Sequence, residues 1–130
     1  MNERQFYAVL ADWRERPFSF TEANCCQFAA DIARCSGVDI AVPEFDDPEL
    51  AAKWFRDQGH KSLYHYLVSL FGKPVAPLQA RRGFIAYRKG HGLEGSAIGA
   101  VERKALFVSD KGLVEIPLSE CACAFDPSHG

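Results

Sequence analysis

No apolar run in this sequence approaches the roughly eighteen residues that a membrane-spanning helix requires. Its opening, Met1-Asn2-Glu3-Arg4-Gln5, lacks the pattern of a secretory signal. A start in the cytoplasm is therefore expected, with the thiols kept reduced. Positive charge is not in excess either. The formal net charge is −2 and no basic stripe runs along the chain, which argues against a nucleic-acid partner. There is no internal repeat, low-complexity tract or linker, so the 130 residues are read as a single domain, 1–130, long enough to bury a real core.

The five cysteines lack two things: an even count and metal-site spacing. An odd number argues against a complete disulfide framework. Zinc sites favour ligand pairs about two to four residues apart, whereas Cys25-Cys26 are adjacent and Cys121-Ala122-Cys123 are separated by one residue. Helical or strand geometry points such neighbours in different directions. A zinc or iron–sulfur site ranks below buried, reduced thiols, and no metal or cofactor is expected.

What is present is ordinary globular material, 48% hydrophobic and 25% charged, arranged in two halves of different period. The first half reads as helices. Asn2 and Gln5 have capping-box spacing ahead of a stripe of Phe6, Val9, Leu10 and Trp13, and Arg16-Pro17 ends that helix. Phe18-Ser19-Phe20 is an extended connector expected to lay its rings under the next helix. Asp47-Pro48-Glu49 is a helix start with proline at the first position; Leu50, Ala51, Trp54 and Phe55 follow, and Gly59 stops it. A fourth helix begins near Ser62, carries Leu63, Leu67, Leu70 and Phe71, and stops at Gly72.

After Lys73-Pro74-Val75-Ala76-Pro77 the period becomes strand-like. Phe84–Tyr87, Ala97–Val101, Ala105–Val108 and Leu113–Ile116 are the expected strands, the last two joined by a turn at Asp110-Lys111-Gly112. Strands this closely spaced can only pair antiparallel. Helices first and a meander afterwards predict an α+β domain.

The chemistry-bearing stretch is the second helix, Asn24-Cys25-Cys26-Gln27-Phe28-Ala29-Ala30-Asp31 and onward to Gly37. Asn24 and Gln27 fit a capping box, and Cys25, Phe28, Ala29 and Ile32 share an expected buried face. A cysteine in the first turn meets unpaired N–H groups and the positive end of the helix dipole, both of which favour thiolate. The alternative for Cys25 is simple packing of a small apolar side chain.

A helix that starts with cysteine, followed by a small antiparallel sheet, resembles the NlpC-like branch of papain-fold cysteine peptidases, which cleave peptide bonds in bacterial cell wall. Closer still, Pro17-Phe18, the Asn24–Asp31 stretch, Arg82-Gly83 and Gly112-Leu113-Val114 with Pro117-Leu118 resemble a small related family found in tailed-phage and prophage tail gene clusters. The similarity spans roughly residues 13–125.

That resemblance implies N-terminal helices packed on a small antiparallel sheet in a papain-like (NlpC-like) fold. Its site needs a thiolate, an activating imidazole and an orienting polar group. Cys25 matches the nucleophile. The histidine position matches Ala97, the orienting position falls at Val108 or Ser109, and the aspartate that often precedes the cysteine is Asn24. Of His60, His65, His91 and His129, only His91 stands near the expected active edge of the sheet, as a substitute base or as a surface residue.

Two functions follow from the resemblance. One is a structural or assembly component of a tail tip, built on a catalytically degenerate fold and contacting other tail-tip proteins through segments 38–45 and 73–82. The other is an active peptidase or amidase on cell-wall peptides, with Cys25 as nucleophile and His91 as base, making contact with peptidoglycan. For either, the expected location is the virion tail after synthesis in the host cytoplasm.

Overall fold

The computed structural model describes residues 1–16, 24–42, 48–90 and 96–128. Four helices come first: α1 (Glu3–Arg14), α2 (Cys25–Arg34), α3 (Pro48–Asp57) and α4 (Leu63–Phe71). Five strands follow: β1 (Ile85–Arg88), β2 (Ala97–Val101), β3 (Ala105–Ser109), β4 (Gly112–Ile116) and β5 (Cys123–Phe125). They form one sheet in the order β4-β3-β2-β1-β5, and every neighbouring pair is antiparallel. The α+β class read from the period change is the class observed. The sequence pattern does not predict the fifth strand, because the three residues Cys123-Ala124-Phe125 are too short a run to be read as one.

The caps explain where the helices begin. Asn2 is extended and its Oδ1 accepts the Gln5 N–H at 3.0 Å, while Ser62 Oγ accepts the His65 N–H at 3.3 Å. At the end of α2, Gly37 takes a left-handed φ of 79°, and the Val38 N–H returns to the Ala33 carbonyl at 3.2 Å. Asp47, the first residue of the helix start read ahead of α3, and the connector Phe18-Ser19-Phe20 lie outside the described residues.

All four helices lie on one face of the sheet or on each other, with α2 running across β2. Phe6, Leu10, Trp13, Phe28, Ala29 and Ile32 meet Ile85, Ile98, Ala100, Leu106 and Phe125 there as one core. The Trp13 and Phe28 rings sit 5.3 Å apart, and the indole N–H of Trp13 donates to Asp31 Oδ2 at 2.8 Å, tying α1 to α2. The other face buries a smaller cluster of Ala86, Val101, Ala105, Phe107, Cys121 and Ala124. Val75, Ala80 and Leu118 cover it, and Val75 and Ala124 exchange backbone hydrogen bonds at 2.8 and 3.0 Å.

Most of the expected core is found buried, including Trp13, Phe55, Leu67 and Phe71. Trp54 and Leu70 are only half-buried, and Leu50, which its spacing puts on the α3 stripe, is 45% exposed. The cause is position: Leu50 stands in the first turn of α3, while Phe55 near the other end of that helix packs against Tyr66 of α4. The turn between β3 and β4 docks on the end of α1. Gly112 has a φ of 93°, and a Cβ there would stand 2.0 Å from the Arg14 carbonyl oxygen, so only glycine fits.

Candidate functional site

The site is built on the start of α2. Asn24, 1% exposed, is extended; its Oδ1 accepts the Gln27 N–H at 2.9 Å, and Gln27 Oε1 accepts the Asn24 N–H at 3.0 Å. This reciprocal capping box sets Cys25 as the first helical residue, half-buried against the sheet. Its sulfur meets the Cys26 thiol, the backbone N–H of Ile98 on β2, and the N–H groups of Cys25 and Cys26.

The Ile98 N–H is available for a topological reason. Along β2, Val101 bonds towards β1, since it exchanges hydrogen bonds with Phe84 and Gly83. Alternation then turns the Ile98 N–H towards β3. Pairing of β2 with β3 starts only at Ala100. The end of β2 beyond that register is where α2 brings its first cysteine.

These contacts hold the Cys25 thiol down at about 7, against an ordinary 9.0: the Cys26 thiol favours the thiolate most, burial opposes it, and the Ile98, Cys25 and Cys26 N–H groups add to the lowering. Cys26 moves the opposite way, because it donates to Cys25, is buried, and faces the Cys25 charge. Burial likewise raises Cys35, Cys121 and Cys123, the last to about 11.

These shifts give stability a pH signature. From about pH 7 to 9 the unfolded chain holds a proton on Cys25 that the folded chain has released, so ionisation of Cys25 adds stability as pH rises. Above about pH 9 the sign reverses. The unfolded chain ionises thiols that the fold keeps protonated, Cys26 and Cys123 among them, and stability falls through pH 11. Urea midpoints at pH 7, 9 and 10.5 should rise and then fall, and Cys123→Ala should flatten the alkaline decline.

Ala97 is matched to a papain-type base, and Val108 or Ser109 to its orienting group; none of the three faces Cys25 as a polar partner. Ala97 packs with the cluster on the sheet face away from α2, so a side chain there points away from Cys25; Ile98 and Ala100 are the β2 residues that face the helix. A match by sequence alone aligns the strand but not its facing, since adjacent residues point to opposite sides. Val108 packs on the helix side as an apolar residue, and Ser109 is used in the β3–β4 turn, donating to the Gly112 carbonyl at 2.8 Å and accepting from the Lys111 N–H.

The histidines divide between described and undescribed residues. His65 pairs its Nδ1 with Ser62 Oγ at 2.8 Å, and the His60 ring stands edge-on to Tyr66 at 5.2 Å; neither is a partner of Cys25. His91 and His129 lie outside the described residues. Sequence reading missed Tyr87 and Ser96, whose hydroxyls meet at 2.9 Å beside the cysteine end of β2, where Tyr87 stands opposite Ile98. Among the described residues, no three His, Cys, Asp or Glu side chains gather closely enough to hold a metal ion, and no helix is long and apolar enough to cross a membrane.

Residues 2–126 match the family model described as a domain of unknown function, DUF6950. Comparison with curated proteins and with solved structures gave no match. The chain belongs to the DUF6950 family.

Proposed function

We propose that this DUF6950 domain is a structural or assembly component of a tailed-phage tail tip, built on a papain-like (NlpC-like) fold that has lost its catalytic base. One observation carries the loss of catalysis. Among the described residues, the polar side chain that acts on the Cys25 sulfur is a second thiol, that of Cys26, and the remaining packing is against the apolar core. Hydrolysis by a cysteine needs a group to protonate the leaving amine and to activate water for the thioester. A thiol pushed well above its ordinary range supplies neither at neutral pH. A helix with cysteine at its first position, lying across an antiparallel sheet, supports the papain-like reading; the place in a phage tail rests on the sequence resemblance alone.

The second reading is a hydrolase acting on cell-wall peptides, with Cys25 as nucleophile and His91 as base. The lowered pKa of Cys25 favours it. Peptidoglycan-fragment cleavage by the wild type, Cys25→Ala and His91→Ala separates the two. The expected result is background release in all three. Turnover by the wild type that both substitutions abolish establishes the hydrolase.

A tail role further predicts a contact surface in segment 73–82. Deleting that segment would strip the backbone partner of Ala124 and the cover of the second cluster, so it would not leave the domain folded. Leu78, 84% exposed, is the better probe. Leu78→Asp should keep the fold and lower the yield of mature particles. Normal particles, or particles without the protein, would remove the tail-tip reading. Residues 43–45 of the other expected contact segment lie outside the described residues.

A further inference from the structure

We propose that the cavity at the end of α2 remote from Cys25 binds a small zwitterion of the amino-acid or dipeptide class, its carboxylate at Arg81 and its ammonium group at Asp126. The cavity has a volume of about 340 Å³, and Ser36, Arg81, Phe84 and Asp126 are among the residues that line it. That is the lower end of the range for small-molecule sites. Ser36 lies just past the end of α2, and a helix of this length separates it from Cys25 by about 15 Å. The two sites are therefore independent.

The charges in the cavity specify the ligand. Arg82 already has partners, with Glu3 at 3.6 Å, Glu102 at 3.8 Å and the Tyr7 ring centroid 5.6 Å from its guanidinium carbon. Arg81 has no ion-pair partner among the described residues, and it forms none with Asp126 although both line the same cavity. The Asp126 carboxylate is held in place through Oδ1, which accepts from the Ser128 N–H at 2.9 Å and from Ser128 Oγ at 2.6 Å. Its Oδ2 accepts nothing from the described residues, and Ser36 Oγ is also without a partner among them.

Arg81 and Asp126 carry opposite charges in this cavity, which Met1 and Arg82 also line, and because the two do not neutralise one another they discriminate by charge pattern. A simple anion drawn to Arg81 is opposed by Asp126, and a simple cation drawn to Asp126 is opposed by Arg81. A zwitterion satisfies both, and the half-buried Phe84 offers an apolar wall between them. The backbone that carries Arg81 is fixed. The Arg81 carbonyl accepts the Phe84 N–H at 3.0 Å across a turn in which Gly83 has a φ of 92°. A Cβ at Gly83 would come within 2.3 Å of Met1 Sδ, so this turn is packed as well as hydrogen-bonded.

The test is a titration of the ¹⁵N-labelled full chain with L-alanyl-L-alanine, followed by amide shifts. N-acetyl-L-alanine (carboxylate only) and L-alaninamide (ammonium only) serve as controls. The dipeptide should produce saturable shifts at Gly83, Phe84 and Ser128 and none at Cys25. Each control should bind at least about tenfold more weakly, and Arg81→Gln and Asp126→Asn should each weaken the dipeptide by about tenfold. The rest of the amide spectrum reports whether each variant is folded, and Arg81→Gln, at an exposed position, carries the test if Asp126→Asn disturbs its turn. The proposal fails if no saturable shift appears, if a singly charged control binds equally well, or if Arg81→Gln binds like the wild type.

Discussion

Iodoacetamide applied to the folded protein at pH 7 should label Cys25 first, at least about tenfold ahead of any other cysteine. Thiolate fraction, basicity and access together set the order of labelling. With its pKa held to about 7, roughly half of Cys25 is thiolate at that pH, against about one part in a hundred for a thiol at 9.0. Lower basicity gives back close to tenfold in intrinsic nucleophilicity. A gain of about fivefold over an ordinary exposed thiol therefore remains from electrostatics. Access widens the margin: Cys25 is half-buried, while Cys26, Cys35, Cys121 and Cys123 are buried with raised pKa values.

The labelling rate should follow a titration with a midpoint near pH 7, and Cys25→Ala should remove the fast phase altogether. Uniform labelling, or a midpoint near 9, would mean that the Cys26 thiol, the Ile98 N–H and the α2 N-terminus do not perturb this sulfur. The experiment also separates two properties that the proposed function keeps apart. A thiolate can be present and reactive towards an alkylating agent while the domain lacks the proton transfers of a hydrolase.

Phe28→Ala should cost about 3–5 kcal/mol, a large part of the roughly 5–15 kcal/mol that holds a domain folded. Phe28 is fully buried at the middle of α2, against Trp13 on one side and the sheet core on the other. Truncation leaves a cavity that cannot close without moving α1 or α2, which the Trp13–Asp31 hydrogen bond holds together. Urea denaturation monitored by tryptophan fluorescence should show a much lower midpoint, or no folded baseline at 37 °C. Leu78→Ala is the matched control. Its side chain is 84% exposed, so its effect should stay within about 0.5 kcal/mol. A loss below about 1 kcal/mol at Phe28 would contradict the packing of α2 on the sheet.

The local features of this protein are legible in the order of its residues. Capping residues such as Asn24 with Gln27, the glycines that end helices, and the periods of Phe6–Trp13 and Ala97–Val101 act over a few neighbouring residues, so they can be read in order. They also place Cys25 in the first turn of a helix, which is half of its chemistry. Tertiary structure decided the rest. Whether Ala97 or Ile98 faces Cys25 depends on which side of the sheet α2 lies, and a strand's facing alternates with every residue. The Ile98 N–H reaches the sulfur because β2 and β3 begin pairing only at Ala100. The cavity between Arg81 and Asp126 joins positions far apart in the chain. Each of these turns on contacts between distant segments, where side-chain identity says what a group can do but only the packing of helix on sheet says what it meets.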